Sequence, residues 1–152
     1  MRMLKKAFTL IFFLFMTSCG YEAIHSIKNS INYDFSISEL TFVGDRKINL
    51  KIKEKLNNYT LNEKGKNFIL KISSVVEKIV LAKNISGDPT DFKSTVTVNI
   101  EVLNKNNLQI IESFNYSNNS NKIDLRKYER EINNNLAETI TDKLIFKLSN
   151  IQ

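Results

Sequence analysis

At 152 residues, with 42% apolar and 25% charged side chains, the chain is long enough to bury one core and too short for two full domains. A single Cys, Cys19, excludes an internal disulfide, and a single His, His25, leaves no His-based metal cage. The formal net charge of +6 includes no concentrated basic patch of the nucleic-acid kind: Lys51, Lys53 and Lys55 alternate with apolar residues and sit beside Glu54, the pattern of a solvated helix face.

The chain opens with Arg2, Lys5 and Lys6, followed by an apolar run from Ala7 to Met16, the layout of an export signal. About ten helical residues cover roughly 15 Å, half the ~30 Å hydrocarbon core of a bilayer, so this run does not span one. Thr17 and Ser18 supply small residues before Cys19. The run Met16-Thr17-Ser18-Cys19 resembles the lipobox of bacterial lipoproteins, which implies cleavage before Cys19, a diacylglyceryl thioether on its sulfur and acylation of the new amine. Several acyl chains, at ~0.8 kcal/mol per buried methylene, would hold the product on a membrane. Residues 1–18 are then the signal peptide, residues 19–33 the lipidated N-terminus and tether, and residues 34–152 a single domain. Loss of the three leader cations leaves the mature chain mildly basic, and its abundance of Lys, Asn and Ile is a bias that AT-rich coding DNA produces by itself. Gly20 stands where, in many Gram-negative lipoproteins, an Asp retains the product at the inner membrane; the resemblance therefore implies the outer membrane, on its periplasmic side.

Little periodicity is visible from Gly20 to Asn32, as suits a tether. Phe35 to Val43 predicts the first strand, with Phe35, Ile37 and Val43 on one parity and Leu40 and Phe42 on the other. Gly44-Asp45 punctuates it, and Asp45 is the expected N-cap of an amphipathic helix in which Ile48, Ile52, Leu56 and Tyr59 face one way. A turn over Asn62 to Lys66 closes that helix.

Asn67 to Lys83 is rich in β-branched residues and predicts a long strand. Phe68, Leu70, Ile72 and Val76 share one parity whereas Val75, Ile79 and Leu81 take the other, which a bulge near Ser73-Ser74 would reconcile. Asn84 to Asp91 holds the sole Pro and predicts a reversal, with Asp88 and Asp91 as turn formers. The clearest alternation follows: Phe92, Val96, Val98, Ile100 and Val102 are dry, and Lys93, Thr95, Thr97, Asn99 and Glu101 are wet. Asn104 to Asn107 makes a hairpin loop, and Leu108, Ile110, Phe114 and Tyr116 continue the dry face on the return.

The last element is the longest helix. From Asp124 as the expected N-cap, Leu125, Tyr128, Ile132, Leu136, Ile140, Leu144 and Leu148 recur at three or four residues with no Pro or Gly between them. The order β-α-β-β-β-α predicts an α+β two-layer sandwich: an antiparallel sheet of about four strands with both helices on one face.

Residues for catalysis are sparse. His25 falls in the tether, no activated thiol accompanies it, and no phosphate loop, dinucleotide fingerprint or paired-cysteine motif occurs. The expectation is a non-enzymic, lipid-tethered recognition domain with no catalytic residues, no metal and no cofactor, and no nucleic acid among its partners.

The lipoprotein leader, the Cys19-Gly20-Tyr21 start, the short tether and the strand-helix-three-strand-helix order together resemble the LPS-assembly lipoprotein family, LptE. Glu22-Ala23-Ile24-His25 departs from the Pro and Leu-Tyr continuation of one large branch, so the likeness is architectural. The resemblance implies a plug inside the large outer-membrane β-barrel LptD, assisting its assembly and the delivery of lipopolysaccharide to the outer leaflet. A sheet face carrying Thr95, Thr97 and Asn99 suits a polar barrel lumen. Family members contact lipopolysaccharide through basic residues, and Lys83 and Lys93, flanking the Asn84 to Asp91 loop, are the expected contacts on the lipid A phosphates. The competing reading is a lipid-anchored auxiliary subunit of another envelope transport or lipid-trafficking system.

Overall fold

The computed structural model describes residues 35–60 and 65–151, so the leader, Cys19, the tether and part of the Asn62 to Lys66 turn lie outside the described residues. Strand β1 (Phe35–Gly44) leads through Asp45 into helix α1 (Arg46–Leu56), which ends in a 3-10 turn (Asn57–Tyr59). Strands β2 (Lys66–Lys83), β3 (Pro89–Val102) and β4 (Leu108–Ser117) follow, and helix α2 (Lys122–Asn150) closes the chain. The spatial order of the sheet is β1-β2-β3-β4.

The α+β class and the element order are those the sequence predicts. The sheet is mixed, however, and not wholly antiparallel: β1 pairs with β2 in parallel, and only β2/β3 and β3/β4 are antiparallel. The cause is the first helix. It carries the chain back to the end of the sheet from which β1 started, so β2 leaves in the same direction.

The junction that makes this crossover possible is tightly specified. Gly44 has φ +94°, and a Cβ there would lie 2.1 Å from the Ser74 carbonyl oxygen. The Asp45 carboxylate accepts from the N–H groups of Lys47 at 2.9 Å and Ile48 at 3.0 Å, capping α1 as expected. Buried Ser74 donates through Oγ to Asn49 Oδ1 at 2.7 Å, and Asn49 Nδ2 donates to the Val43 carbonyl at 3.0 Å. The end of β1, the first turn of α1 and the middle of β2 thus share one hydrogen-bonded knot.

Two strands use their irregularities differently from the expectation. In β1 the register with β2 slips between Ile37 and Glu39, which turns Leu40 and Phe42 to the same face as buried Phe35 and Ile37 and leaves Val43 exposed. In β2 no bulge forms at Ser73-Ser74, where pairing with β3 is continuous; the shift comes between Val80 and Ala82. The strand keeps a period of two through the serines because Ser74 is needed inside for the junction, and Val75 and Ile79 remain exposed on the opposite face.

The core lies between the helices and one sheet face. Leu70, Ile72, Val96, Val98 and Ile100 meet Ile48, Ile52 and Leu56 of α1 and Ile140, Leu144 and Leu148 of α2, all essentially without solvent contact. Tyr59 stacks on Phe35 with ring centroids 4.8 Å apart. Helix α2 begins earlier than predicted, because Asn121, not Asp124, is the N-cap and accepts from the N–H groups of Ile123 and Asp124. The dry stripe also thins toward that end: Tyr128 and, on β4, Phe114 remain close to half exposed.

Candidate functional site

Lys51 pairs with Glu138 at 3.2 Å and Lys55 pairs with Asp142, four residues on in each helix. The two helices therefore run in the same direction, and both N-termini lie at the end of the sheet where β1 stops and the β2/β3 hairpin begins to project. Their amide dipoles point positive ends the same way.

Two clefts open at this end. One, of about 280 Å³, is lined by Ile48 and Val76 on its apolar side and by Lys47, Arg126, Arg130, Asn133 and Asn134 among its polar groups. The other, of about 380 Å³, lies under the β4 to α2 connection and is edged by Lys78, Lys122 and Arg126, with Leu125 as its apolar wall. Arg126 and Glu129 border both.

The acids of this region are already engaged. Asp45 is the cap of α1. Glu129 Oε1 accepts from Tyr116 Oη at 2.9 Å and from Lys78 Nζ, whose ammonium also sits 3.9 Å from the centre of the Phe92 ring. Burial first, and then the bond to the Glu129 carboxylate, raise the Tyr116 phenol well above its ordinary range, so it stays a donor. Lys47, Lys122, Arg126 and Arg130 form no ion pair among the described residues. Arg126 and Arg130, at i and i+4 on one helix face, stand with Lys47 at the first cleft, and Arg126 stands with Lys122 at the second; such groups can receive an anionic oxygen cluster, and the apolar lining can accept an apolar body attached to it.

The Lys83 and Lys93 expected as contacts lie elsewhere and apart. Lys93 sits opposite Ile79 and Asn115 in the middle of the sheet, on the face away from the helices, while Lys83 pairs with Pro89 at the end of β2. Neither residue lines either of these two clefts. The arginines were missed because Glu129 and Glu131 flank Arg130 and make the stretch read as a mixed-charge helix face. An Arg pair at i, i+4 was the available signal.

A second surface is the sheet face opposite the helices. Across it run the rows Glu77–Thr95–Ser113, Val75–Thr97–Ile111 and Ser73–Asn99–Gln109, the last joined by a Gln109 to Asn99 bond of 2.7 Å. Thr95, Thr97 and Asn99 stand on this open face as the alternation predicts. Among the described residues no group of His, Cys, Asp or Glu is arranged to hold a metal ion, and no helix is long and apolar enough to cross a membrane.

No protein-family profile and no curated protein sequence matches the chain. Solved structures do. The rare lipoprotein B from Shewanella oneidensis superposes with a TM-score of 0.52 at 12% identity, over 74% of this chain and 97% of that one. A minor lipoprotein from Acinetobacter baumannii gives 0.52 at 12% identity, over 76% and 92%. At such identities the likeness is one of fold: this chain shares the two-layer architecture of these two bacterial lipoproteins.

Proposed function

We propose that the protein is a lipid-anchored lipoprotein of the outer membrane that acts as the plug of an LptD-type β-barrel and assists lipopolysaccharide delivery. It performs no catalysis of its own. The observation that supports this reading most is the pairing, in one domain, of a polar sheet face that no described element covers with a cluster of cations at the hairpin end. A plug needs the first to line a polar lumen, and a carrier of lipid A phosphates needs the second. The acylation-type leader ending at Cys19 and the fold shared with two lipoproteins are consistent with the same role. In this reading Arg126, Arg130, Lys47 and Lys122 replace Lys83 and Lys93 as the principal phosphate contacts.

The test is affinity purification of the tagged chain from detergent-extracted envelopes. A large outer-membrane barrel is expected in stoichiometric amount. Recovery of the chain alone, or with inner-membrane components only, removes the proposal. The clefts also serve the second reading, a lipid-binding auxiliary subunit of another envelope transport system, and cross-linking from Arg126 to lipid without any barrel would favour it.

A further inference from the structure

Glu129 follows Arg126 by three residues on α2, and the two line both clefts together. Side chains at i and i+3 on a helix are neighbours, and a carboxylate matches the fork of a guanidinium. An anion site with an acid in that place would ordinarily be closed by its own counter-ion. Here it is not, because no ion pair joins Arg126 to Glu129 among the described residues.

The carboxylate is held elsewhere. Its Oε1 accepts from Tyr116 Oη of β4 at 2.9 Å and from Lys78 Nζ of β2, so two strands tie it to the sheet. Both donors are themselves fixed. The Lys78 ammonium lies 3.9 Å from the centre of the Phe92 ring and 5.9 Å from that of Tyr116. The Tyr116 ring packs against Phe92 at 5.6 Å and edge-on against Tyr128 at 6.1 Å. Arg126 is steadied separately, its Nε donating to the Lys122 carbonyl at 3.2 Å.

We propose that Lys78 and Tyr116 are positioning residues of the anion site: by binding Glu129 to the sheet they keep its carboxylate off Arg126, so that the guanidinium stays open to a phosphate. This rests on the reading of the cleft cations as phosphate contacts, and not on the barrel. Lys78 acts in two ways through the one acid. It holds the carboxylate in place, and its charge cancels a negative charge that would otherwise face an incoming anion. Without Lys78 the Tyr116 hydroxyl is the remaining donor, and a neutral donor holds a carboxylate more weakly than a guanidinium does. The Glu129 side chain, 23% exposed, then turns on its solvent side to Arg126 and closes the site.

The test uses the full chain in dodecyl maltoside, with two readouts. Phenylglyoxal modification of Arg126, followed by peptide mapping, reads the availability of the guanidinium with no ligand present. Titration calorimetry with purified lipopolysaccharide in the same detergent reads affinity. Lys78→Met should slow modification of Arg126 by about threefold or more and weaken lipopolysaccharide binding by about tenfold. Adding Glu129→Gln removes the acid at unchanged net charge, and both readouts should return to within about twofold of the unsubstituted chain. Lys78→Arg should keep both. Lys71→Met, which breaks the exposed Lys71 to Glu101 pair on the opposite sheet face, makes the same charge change and should move neither by more than about twofold. If Lys78→Met melts early, Tyr116→Phe carries the same comparison, with a smaller loss of about two- to threefold and the same rescue by Glu129→Gln. Unchanged Arg126 reactivity, or weak binding that persists in the Lys78→Met, Glu129→Gln double variant, overturns the proposal and leaves the phosphate contacts standing. If Arg126→Glu with Arg130→Glu binds lipopolysaccharide as the unsubstituted chain does, the phosphate contacts themselves fall, and the positioning role falls with them.

Discussion

Gly44 shows how much one residue can decide. Its positive φ and the 2.1 Å approach to the Ser74 carbonyl leave no room for a side chain, and the approach is set by backbone on both sides. Gly44→Ala should therefore destabilise the domain by an amount at the upper end of the ~0.5–3 kcal/mol range for single substitutions, read as a lower urea midpoint at unchanged slope. Tyr116 makes a different prediction. An unfolded tyrosine titrates near 10, while burial and Glu129 hold the folded phenol protonated to higher pH. The stability this contributes is complete below about pH 10 and is lost as pH rises beyond it. Tyr116→Phe should cost ~0.5–1.5 kcal/mol at neutral pH and make the alkaline decline in melting temperature shallower. That Gly44 ends a strand is legible in the sequence; that Tyr116 serves Glu129 is not, because their approach requires β4 and α2 to be packed together.

The elements were legible to the degree that their pattern is local. The strict alternation of β3 and the Ile132 to Leu148 stripe of α2 arise from periods of two and of three to four residues that no partner has to supply. Helix ends depend on finer chemistry. The expected cap, Asp124, lies in the first turn, and Asn121, three residues earlier, is the residue whose side chain accepts from the first free N–H groups. Asn121→Ala should cost ~1 kcal/mol and Asp124→Ala only ~0.3–0.5 kcal/mol, in thermal unfolding at low salt. The β2 serines misled for a related reason. Two polar residues in a β-branched run look like a break, but Ser74 is paid back in full by Asn49.

At the scale of the whole molecule, the parallel helices gather charge that the sequence disperses. Lys47 precedes Arg126 by most of the domain, yet both line one cleft. Replacing Arg126 and Arg130 by Glu should weaken co-sedimentation with lipopolysaccharide, or with phosphatidylglycerol vesicles, by about tenfold or more while the melting temperature holds. Lys83→Glu with Lys93→Glu should change that binding far less. The reverse result would return the contact to the hairpin and remove the clefts from the account.

What the sequence determined by itself is whatever follows from short-range chemistry: the order of strands and helices, the dry face of β3 and the apolar stripe of α2. Tertiary structure alone decided the parallel pairing of β1 with β2, the convergence of Lys47 with Arg126 and Arg130, and the length by which β2 runs past the end of β1. These three depend on which way each element points when it packs. Direction is set by the crossover through α1 and by burial of one common face, and residues far apart in the chain acquire a shared site only after both are in place.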